Sequence, residues 1–528
     1  MTQFASLTPR FAIIGAGPSG VFAAERLLAL FPAARIDIFE KNPVPMGLIR
    51  HGIAPDHPTA KRTEAVLDKI LADSRIRLFT NVRVGIGRGA SSHADQQGDL
   101  TLSELRAAYT AVVVATGASH SKQIRIPGSQ ASNFYRSSDF TGWYNSDPSA
   151  SNGWDLTTPI VAVIGGGNVA LDVTRMLLRS PEDLAATDVA PSVVDRYTHS
   201  AVTEVNVFVR RGPGQAKWST QELRDLAALP NTTLNFDDRD FTQFHDECAQ
   251  PGMPALDREQ KAIVHAMERL NKRTRSNEKI DPDLPTDLSV QAEHRIVSAQ
   301  DRQVYFHFYS QPVEVPVDAD GEVQGLITEH THVNPEGKAI ADSDTNSDAD
   351  SDSDLDSHHM WHLSAVYTAI GYKPALLGPL PADPTTGGLR TRDCRVIGPD
   401  SLPLAGVYAT GWARRGARGL VPETRADARL LAQAISEDIS SGVLSVASGE
   451  SSEESSGTTS GTPSNAFEEP SGASSFDPAA VLRSRGVRFG DYVGWKRVEE
   501  AEKQLGAESG RQIAKIADSA TLIRLSAC

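Results

Sequence analysis

Cysteine and long apolar runs are both scarce in this sequence. Only three cysteines occur in 528 residues, Cys248, Cys394 and Cys528, and none belongs to a Cys-x-x-Cys motif or a close pair. This scarcity excludes a dithiol redox site, a zinc ribbon and an iron–sulfur cluster held by this chain, and it predicts a reducing compartment. No apolar run approaches the roughly 18 residues that span a bilayer. The N-terminus shows no signal or transit pattern, so we expect a cytoplasmic protein without a membrane partner.

Positive charge is also in short supply, since the formal net charge is −15. We therefore expect no nucleic-acid partner. Much of the excess negative charge comes from seven aspartates in 342–356 and five glutamates in 450–469, and the rest of the chain is close to neutral. Both stretches have too few apolar side chains to offset the entropy of ordering them, so we predict disordered insertions at 338–358 and 446–476. The Asp-rich run lacks the glycine and terminal glutamate of an EF-hand loop, and no metal site is predicted.

The N-terminal region contains a dinucleotide-binding pattern, RFAIIGAGPSGVFAAERLLAL (10–30). A short apolar strand runs into a Gly-x-Gly-x-x-Gly turn and then into a helix with apolar residues at helical spacing. The glycines allow a tight turn, and they let backbone N–H groups approach a pyrophosphate. The next strand ends in Glu40, about 20 residues beyond the turn, where a carboxylate binds ribose hydroxyls and repels a 2′-phosphate. The pattern predicts FAD or NAD, with this set of turn residues: Gly15, Ala16, Gly17, Ser19 and Gly20.

A second pattern of the same kind follows in PIVAVIGGGNVALDVTRMLL (159–178), where Gly165, Gly167 and Ala170 form Gly-x-Gly-x-x-Ala. The following strand, VNVFVRR, ends in Arg210 and Arg211 instead of an acid. Two guanidinium groups at this position can bind a 2′-phosphate, so the second unit is predicted to bind NADP(H). The alternative is a solvated turn that carries two arginines.

Together the two patterns predict an α/β fold with two Rossmann-like dinucleotide-binding domains of the three-layer ββα/α type. Later apolar strands, YTAVVVATGA, AVYTAIGYKP and GVYATGWA, resemble strands of flavoproteins and suggest that the NADP domain is inserted into the FAD domain. We predict FAD-domain residues 1–118, NADP-domain residues 119–360 and a return to the FAD domain at 361–528. FAD paired with NADPH is the combination that predicts hydride transfer to a flavin.

Several longer motifs resemble one family, the adrenodoxin reductase-like ferredoxin–NADP reductases of mitochondria and actinobacteria. They are PMGLIRHGIAPDHPTAK, DFTGWYN, GGGNVALDVTRMLL, RRGPGQAKWSTQELRDL, AIGYKP and YATGWARRGARGLV, and the C-terminal RGVRFGDYVGWKRVEEAEKQLG also matches. The resemblance covers nearly all of the chain except the two insertions. It implies an enzyme that transfers a hydride from NADPH to FAD and then single electrons to a ferredoxin, which in turn could feed a cytochrome P450.

The resemblance also implies roles for individual residues. The positions that match FAD contacts in the family are Ala16, Glu40, Leu48, Val84, Trp412, Gly419, Leu420 and Val421. The positions that match NADP contacts are Gly167, Asn168, Val169, Ala170, Arg210, Arg211, Glu222 and Gly419. After Gly419 the sequence departs from the family, because Leu420 to Arg425 replace its usual run, but flavin contacts through the backbone should survive this change.

The segment PMGLIRHGIAPDHP (45–58) contains His51, Asp56 and His57. These could be metal ligands, but no third cluster of ligands accompanies them. In the family this segment lies along the flavin and carries an active-site histidine. His57 is therefore the candidate catalytic residue, with Asp225 as an ionic partner where the family commonly has Glu. The alternative for His57 is a hydrogen-bonded wall residue, and His51 is expected to be structural.

Ferredoxins of this kind are usually acidic, so a basic docking surface is expected near the flavin. Arg414, Arg415 and Arg418 are candidates, although some of them could serve NADP phosphates instead. The alternative functions are an NADPH-dependent flavin monooxygenase or another two-dinucleotide flavoprotein oxidoreductase. A flavin- or NADP-binding regulatory module without turnover is the alternative that is not an enzyme.

Overall fold

The structure is a computed structural model that describes residues 4, 6–87, 97–151, 153–276, 301–342, 358–378, 380–446 and 476–528. Most of both predicted insertions, residues 343–357 and 447–475, lies outside the described residues. The predicted disorder at 338–358 is wrong at its edges, because residues 339–341 form a strand and His358 begins another. Within the described ranges, no helix is both long and apolar enough to cross a bilayer.

Strands and helices alternate along much of the described chain. The strands are β1 Arg10–Ile14, β2 Arg35–Phe39, β3 Ile76–Phe79, β4 Val84–Gly85, β5 Leu100–Thr101, β6 Ala111–Val114, β7 His120–Ser121, β8 Phe134–Arg136, β9 Ile160–Ile164, β10 Glu204–Phe208, β11 Thr232–Phe236, β12 Arg302–His307, β13 Ser310–Glu314, β14 Gly325–Val333, β15 Ala339–Ala341, β16 His358–His362, β17 Ala365–Thr368, β18 Tyr372–Lys373, β19 Thr391–Arg392, β20 Arg395–Ile397 and β21 Pro403–Ala409. The helices are α1 Pro18–Leu30, α2 Leu48–His51, α3 Pro58–Lys61, α4 Thr63–Leu71, α5 Leu102–Ala108, α6 Ser137–Tyr144, α7 Asn168–Leu177, α8 Pro181–Ala185, α9 Pro191–Tyr197, α10 Thr220–Ala227, α11 Asp238–Ala249, α12 Arg258–Ser276, α13 Gly411–Arg415, α14 Val421–Ser440, α15 Pro478–Ser484, α16 Tyr492–Glu508 and α17 Ser519–Ser526.

The chain folds into two compact units. The first consists of Met1–His120, Asn145–Ser149 and Tyr372–Cys528, and the second consists of Ser121–Tyr144 and Ala150–Gly371. The predicted return to the first unit at residue 361 is therefore too early. The short excursion at Asn145–Ser149 is absent from the predicted domain division.

The first unit is built on a seven-stranded sheet in the order β19-β20-β21-β6-β1-β2-β3. Strands β21, β6, β1, β2 and β3 run parallel, so both faces of the sheet can be covered. Alternate residues of β1 point to opposite faces. Phe11 and Ile13 join one core cluster with α1 and α14 residues, while Ala12 and Ile14 join another with Leu105 of α5. This burial on both faces explains why the strand is apolar throughout.

The second unit contains a six-stranded sheet in the order β11-β12-β10-β9-β17-β8, in which every pair is parallel. A smaller antiparallel sheet of β13, β14, β15 and β16 packs in the same unit. Strand β17, the AVYT of AVYTAIGYKP, pairs with β9 and β8. Its predicted place in the FAD domain is therefore wrong, because it completes the sheet of the second unit.

Candidate functional site: two dinucleotide turns

The first turn follows β1 and requires glycine at two positions. Gly15 has a φ of +111°, and a Cβ there would lie 2.5 Å from the carbonyl oxygen of Ala115. A Cβ on Gly20 would overlap the carbonyl oxygen of Gly15. The end of β6 and the first turn of α1 therefore approach the loop more closely than a side chain would allow.

The start of α1 has the features of a phosphate-binding site. Gly17 is the N-cap residue, and no side chain caps the helix. A Cβ on Gly17 would meet no atom closer than the Cα of Gly47 at 3.7 Å, so the second glycine of the motif leaves space next to the helix N-terminus. Backbone N–H groups and the positive end of the helix dipole favour an anion there. These residues fit the pyrophosphate of a dinucleotide.

Glu40 lies directly beside this turn. The backbone N–H of Ala16 donates to Oε2 of Glu40 at 2.8 Å, and that of Asn42 donates to Oε1 at 3.0 Å. Burial raises the pKa of Glu40, while these two backbone hydrogen bonds oppose the rise. Both carboxylate oxygens are thus fixed in position, and each retains a lone pair for a ribose hydroxyl. Val84, the first residue of β4, is buried in the same unit.

The segment 45–58 packs on the first turn. The N–H of Met46 donates to the carbonyl oxygen of Ala16 at 3.0 Å, and Met46 has a φ of +84°. Gly47 has a φ of +53°, and a Cβ there would lie 2.9 Å from the Cα of Gly17. Helix α2 begins immediately afterwards with Leu48, and His57 is the N-cap residue of α3. The segment is therefore a cover that lies against the phosphate-binding turn.

The C-terminal end of β21 also reaches this turn. A Cβ on Gly411, which has a φ of +59°, would overlap Oγ of Ser19. Trp412 follows in α13, and its Nε1–H donates to the carbonyl oxygen of Gly419 at 3.2 Å. Leu420 is 71% exposed and precedes Val421 at the start of α14. The residues expected to contact FAD from the C-terminal half are thus held close to Ser19 or linked to one another.

Two of the three arginines expected at the docking surface have partners within the first unit. Arg414 donates to Asp427 at 2.5 Å, and Arg415 donates to the other oxygen of the same carboxylate at 2.6 Å. Asp427 is only 4% exposed, so the pairs connect α13 to α14. Arg418 is exposed. The cluster retains a net positive charge, but Arg414 and Arg415 also have a structural role that the sequence did not reveal.

The second turn repeats the geometry of the first. Gly165 has a φ of +158°, and a Cβ there would overlap the carbonyl oxygen of Ala369, just after β17. Gly167 is the uncapped N-cap residue of α7, and a Cβ on it would meet no atom within 4 Å. Asn168 and Val169 form the first turn of α7. Ala170 takes the place of the third glycine and is fully buried. This turn also fits a pyrophosphate.

A second covering segment, 212–219, lies on this turn. The N–H of Lys217 donates to the carbonyl oxygen of Gly166 at 2.7 Å, and the N–H of Ser219 donates to Oδ1 of Asn168 at 2.8 Å. Gly166 occupies the position in its motif that Ala16 occupies in the first one. The two turns therefore each receive a hydrogen bond from a cover at the same backbone oxygen.

Arg210 and Arg211 follow β10, as predicted. Arg210 is exposed, whereas Arg211 is half-buried and donates weakly to the carbonyl oxygens of Gly337 and Gln215 at 3.3 and 3.4 Å. Burial lowers the pKa of Arg211, and the neighbouring charge of Arg210 adds to this effect. Arg210 is thus the more accessible cation of the pair, and Arg211 is held by the surrounding backbone.

The remaining predicted site residues belong to two different units. Glu222 and Asp225 lie on α10, where Nη1 of Arg175 donates to Glu222 at 3.0 Å and Nε2 of Gln221 donates to Asp225 at 2.7 Å. Arg175 is fully buried, so Glu222 neutralises a core charge together with Asp172, which pairs with the same guanidinium at 2.5 Å. His57 is half-buried in the first unit. Its pairing with Asp225 remains a prediction.

His51 is buried, as expected of a structural residue. Its side chain is 3% exposed, and burial lowers its pKa to about 3, with the charges of Arg50 and Lys515 acting in the same direction and that of Asp147 opposing them. The backbone of Asn145 also opposes the shift. The imidazole is therefore neutral at physiological pH.

The backbone contacts of Met46 and Lys217 were not predicted, although both residues lie in motifs that carry the family resemblance. The excursion Asn145–Ser149 was not predicted either. The one signal in the sequence was that these family motifs are longer than a dinucleotide-binding turn requires, which indicates further contacts with the turn.

Comparisons with known proteins agree with this geometry. Residues 9–206 match a family model described as pyridine nucleotide-disulphide oxidoreductase. The chain is 30% identical over 515 residues to the protein of Arabidopsis thaliana named NADPH:adrenodoxin oxidoreductase, mitochondrial, covering 96% of this chain and 92% of that one. It is 28% identical over 522 residues to NADPH-ferredoxin reductase FprA of Mycobacterium leprae, covering 97% of each. The solved structure of Mycobacterium tuberculosis FprA in complex with NADPH has a TM-score of 0.76 and 25% identity, and the match covers 98% of this chain and 99% of that one.

Proposed function

The chain belongs to the adrenodoxin reductase-like family of ferredoxin–NADP reductases, and from this premise we propose how its two units divide the reaction. The protein is an FAD-dependent oxidoreductase that takes electrons from NADPH and passes them to an iron–sulfur ferredoxin. The first unit binds FAD and the second binds NADP(H). The observation that carries this assignment is the buried carboxylate of Glu40 beside one turn and the arginine pair, Arg210 and Arg211, at the equivalent position of the other.

Bound FAD supplies the conversion of a two-electron hydride donor into one-electron steps. The protein's own groups bind, orient and select. In the first unit, Glu40 holds the ribose, the N-terminus of α1 binds the pyrophosphate, and the segment 45–58 covers the turn. In the second unit, Arg210 and Arg211 select the 2′-phosphate, and the N-terminus of α7 binds the pyrophosphate.

Leu48, Val84, Trp412 and the backbone of Gly419 to Val421 form the remaining FAD contacts in this proposal. Glu222 has a second task there, because the carboxylate that neutralises Arg175 also accepts a hydrogen bond from the nicotinamide amide or its ribose. Gly419 serves both cofactors, since its exposed backbone admits a ring without steric cost.

His57 is the residue we assign to the reaction itself. Hydride transfer needs no side-chain base, because positioning supplies most of the acceleration. His57 therefore acts by orienting the reacting groups or by adjusting the local charge, with Asp225 as its partner. Glu is the usual partner in the family, and Asp is shorter by one methylene.

The docking surface for ferredoxin is placed around Arg418 and Leu420. Both are exposed, and they lie next to the Arg414–Arg415–Asp427 cluster, which carries one more positive than negative charge. An exposed apolar side chain beside a basic patch suits an acidic protein partner of transient affinity. A cytochrome P450 downstream and a cytoplasmic location complete the proposal.

The family model in the comparison is named for disulphide chemistry, but this chain has no Cys-x-x-Cys pair to perform it.

The test of the proposed function is a steady-state assay with NADPH as the donor and a ferredoxin as the acceptor. We expect NADPH oxidation to be coupled to ferredoxin reduction, with little NADH oxidation. Hydroxylation of a substrate without reduction of ferredoxin would contradict this function and would identify a monooxygenase instead.

A further inference from the structure

A buried cluster of charged residues lies at the end of α2 in the first unit. Its members are Arg50, Glu502 and Lys515, which are 2%, 0% and 2% exposed, together with the fully buried amide of Asn145. We call it the α2–α16 cluster. It joins three stretches of chain that are far apart in sequence: the cover of the FAD turn, the excursion Asn145–Ser149 and the C-terminal region.

Glu502 on α16 anchors the end of α2. Nη1 and Nη2 of Arg50 donate to its two oxygens at 3.1 and 2.5 Å, which is a bidentate pair. The N–H of Ile516 donates to the same carboxylate at 2.9 Å. The guanidinium of Arg50 also lies 5.4 Å from the ring centroid of Trp495 on α16.

Lys515 holds the backbone of the same helix. Its Nζ donates to the carbonyl oxygen of Arg50 at 2.8 Å and to Oδ1 of Asn145 at 3.2 Å. Helix α2 has only four residues and cannot maintain its conformation by its own hydrogen bonds. The C-terminal region therefore fixes both the side chain and the backbone of Arg50.

Stability alone does not account for such a cluster. Burying charges costs desolvation energy, and a well-packed apolar group of similar volume is often at least as stabilising. What the cluster provides is a defined position for α2. Gly47 contacts the phosphate-binding turn immediately before α2, and His57 follows six residues after it, so a shift of α2 would displace both.

Unpartnered polar atoms lie in or beside the same cluster. Nδ2 of Asn145 and Oγ of Ser146 are buried without a hydrogen-bond partner among the described residues. Buried polar atoms are normally satisfied, so these atoms indicate a polar ligand or ordered water at this position. Bound FAD is the polar ligand that the first unit takes.

We propose that Glu502 and Lys515 are positioning residues for FAD, through which the C-terminal region sets the conformation of the segment 46–57 and hence the affinity for the cofactor. They act through α2 and are assigned no contact with FAD. This inference rests on the proposed function to the extent that the first unit is the FAD site.

The test compares Glu502→Gln with Glu500→Gln in the full-length protein. Both changes remove one carboxylate from α16, but Glu500 is exposed. We measure the FAD dissociation constant of the apoprotein, the visible spectrum of the bound flavin and the thermal unfolding of the apoprotein. We expect Glu502→Gln to raise the FAD dissociation constant by about tenfold or more and to change the flavin spectrum, because it leaves Arg50 buried without its counter-ion. Glu500→Gln should match the parent.

Lys515→Met keeps the Arg50–Glu502 pair and removes the bonds that Nζ donates to the carbonyl oxygen of Arg50 and to Asn145. We expect a smaller rise in the FAD dissociation constant, and this variant decides the matter if Glu502→Gln does not fold. A parental dissociation constant and spectrum in the folded variants would overturn the proposal, even if their apoproteins unfold at a lower temperature. A parent that binds FAD but does not reduce ferredoxin would contradict the proposed function and leave this inference standing.

Discussion

The two dinucleotide turns share one backbone geometry but differ in charge and in how closely their helices pack. In each turn the first glycine lies against the carbonyl oxygen after a neighbouring strand, and the second residue accepts a hydrogen bond from a covering segment. Helix α1 packs so closely that only Gly20 fits, whereas α7 accommodates Ala170. In the proposed assignment, the shared backbone recognises what all dinucleotides have in common, and a few side chains choose among them.

The charges at the strand ends differ in environment as well as in sign. Glu40 is buried, and two backbone N–H groups fix its oxygens, so its position is set before the cofactor binds. Arg210 is exposed and Arg211 is only half-buried. This contrast fits a cofactor that remains bound in the first unit and a substrate that enters and leaves the second.

The largest effect is expected from exchanging the third residue of the two motifs. Gly20→Ala would force a Cβ into the carbonyl oxygen of Gly15, and we expect it to destabilise the first unit by about 3 kcal/mol, at the upper end for overpacking, with loss of bound FAD. Ala170→Gly should cost about 1 kcal/mol, the usual propensity difference within a helix. Thermal unfolding and the FAD-to-protein ratio measure both. Equal effects would mean that the two helices do not differ in packing.

The next effect concerns donor selection. Arg210→Ala removes the accessible guanidinium, and we expect KM for NADPH to rise on the order of 10-fold to 100-fold, as for a lost charge-assisted hydrogen bond. KM for NADH should change little, because NADH has no 2′-phosphate. Arg224→Ala, which removes an exposed arginine from α10 in the same unit, is the control. A parallel rise for both donors would place the phosphate site elsewhere.

A smaller effect is expected for His57→Gln. The variant should retain FAD, because His57 is absent from the FAD contacts assigned above, and we expect flavin reduction by NADPH to slow by about tenfold, within the range of positioning effects. Stopped-flow measurement of flavin bleaching tests this. Asp225→Asn should produce a change in the same direction if the two residues act as a pair. A rate equal to that of the parent would return His57 to a structural role.

The last effect is a dependence of stability on pH, which is negligible near neutral pH and develops only on acidification. His51 has a folded pKa of about 3 and an unfolded value near 6.5, so the unfolded state binds more protons between these values. Stability is therefore lost as the pH falls through this window. His51→Gln should reduce the slope by at most about 1.4 kcal/mol per pH unit. His307, whose pKa burial lowers to about 4, makes the corresponding contribution in the second unit. Unfolding at several pH values in the parent, in His51→Gln and in His307→Gln measures the two contributions, and an unchanged slope would contradict this assignment.

Local patterns in the sequence were sufficient to predict the two strand–turn–helix units and the opposite charges at the ends of the strands that follow them. In each unit the turn, its helix and the following strand lie within about 50 residues of one another. Long-range pairing was not predictable in the same way. Strand β17 is fully buried, as β6 is, and its local sequence does not decide which sheet it joins. The pairing of Arg414 and Arg415 with Asp427 was not predictable for the same reason, because the burial of Asp427 depends on how α14 packs.

The most direct measurement is an anaerobic titration of the purified protein, followed through the visible absorption of its flavin. We expect a yellow protein that is bleached by a stoichiometric amount of NADPH and far less by the same amount of NADH. A colourless protein that cannot take up FAD, or one that NADPH and NADH bleach equally, would contradict the claim that each unit selects its own dinucleotide.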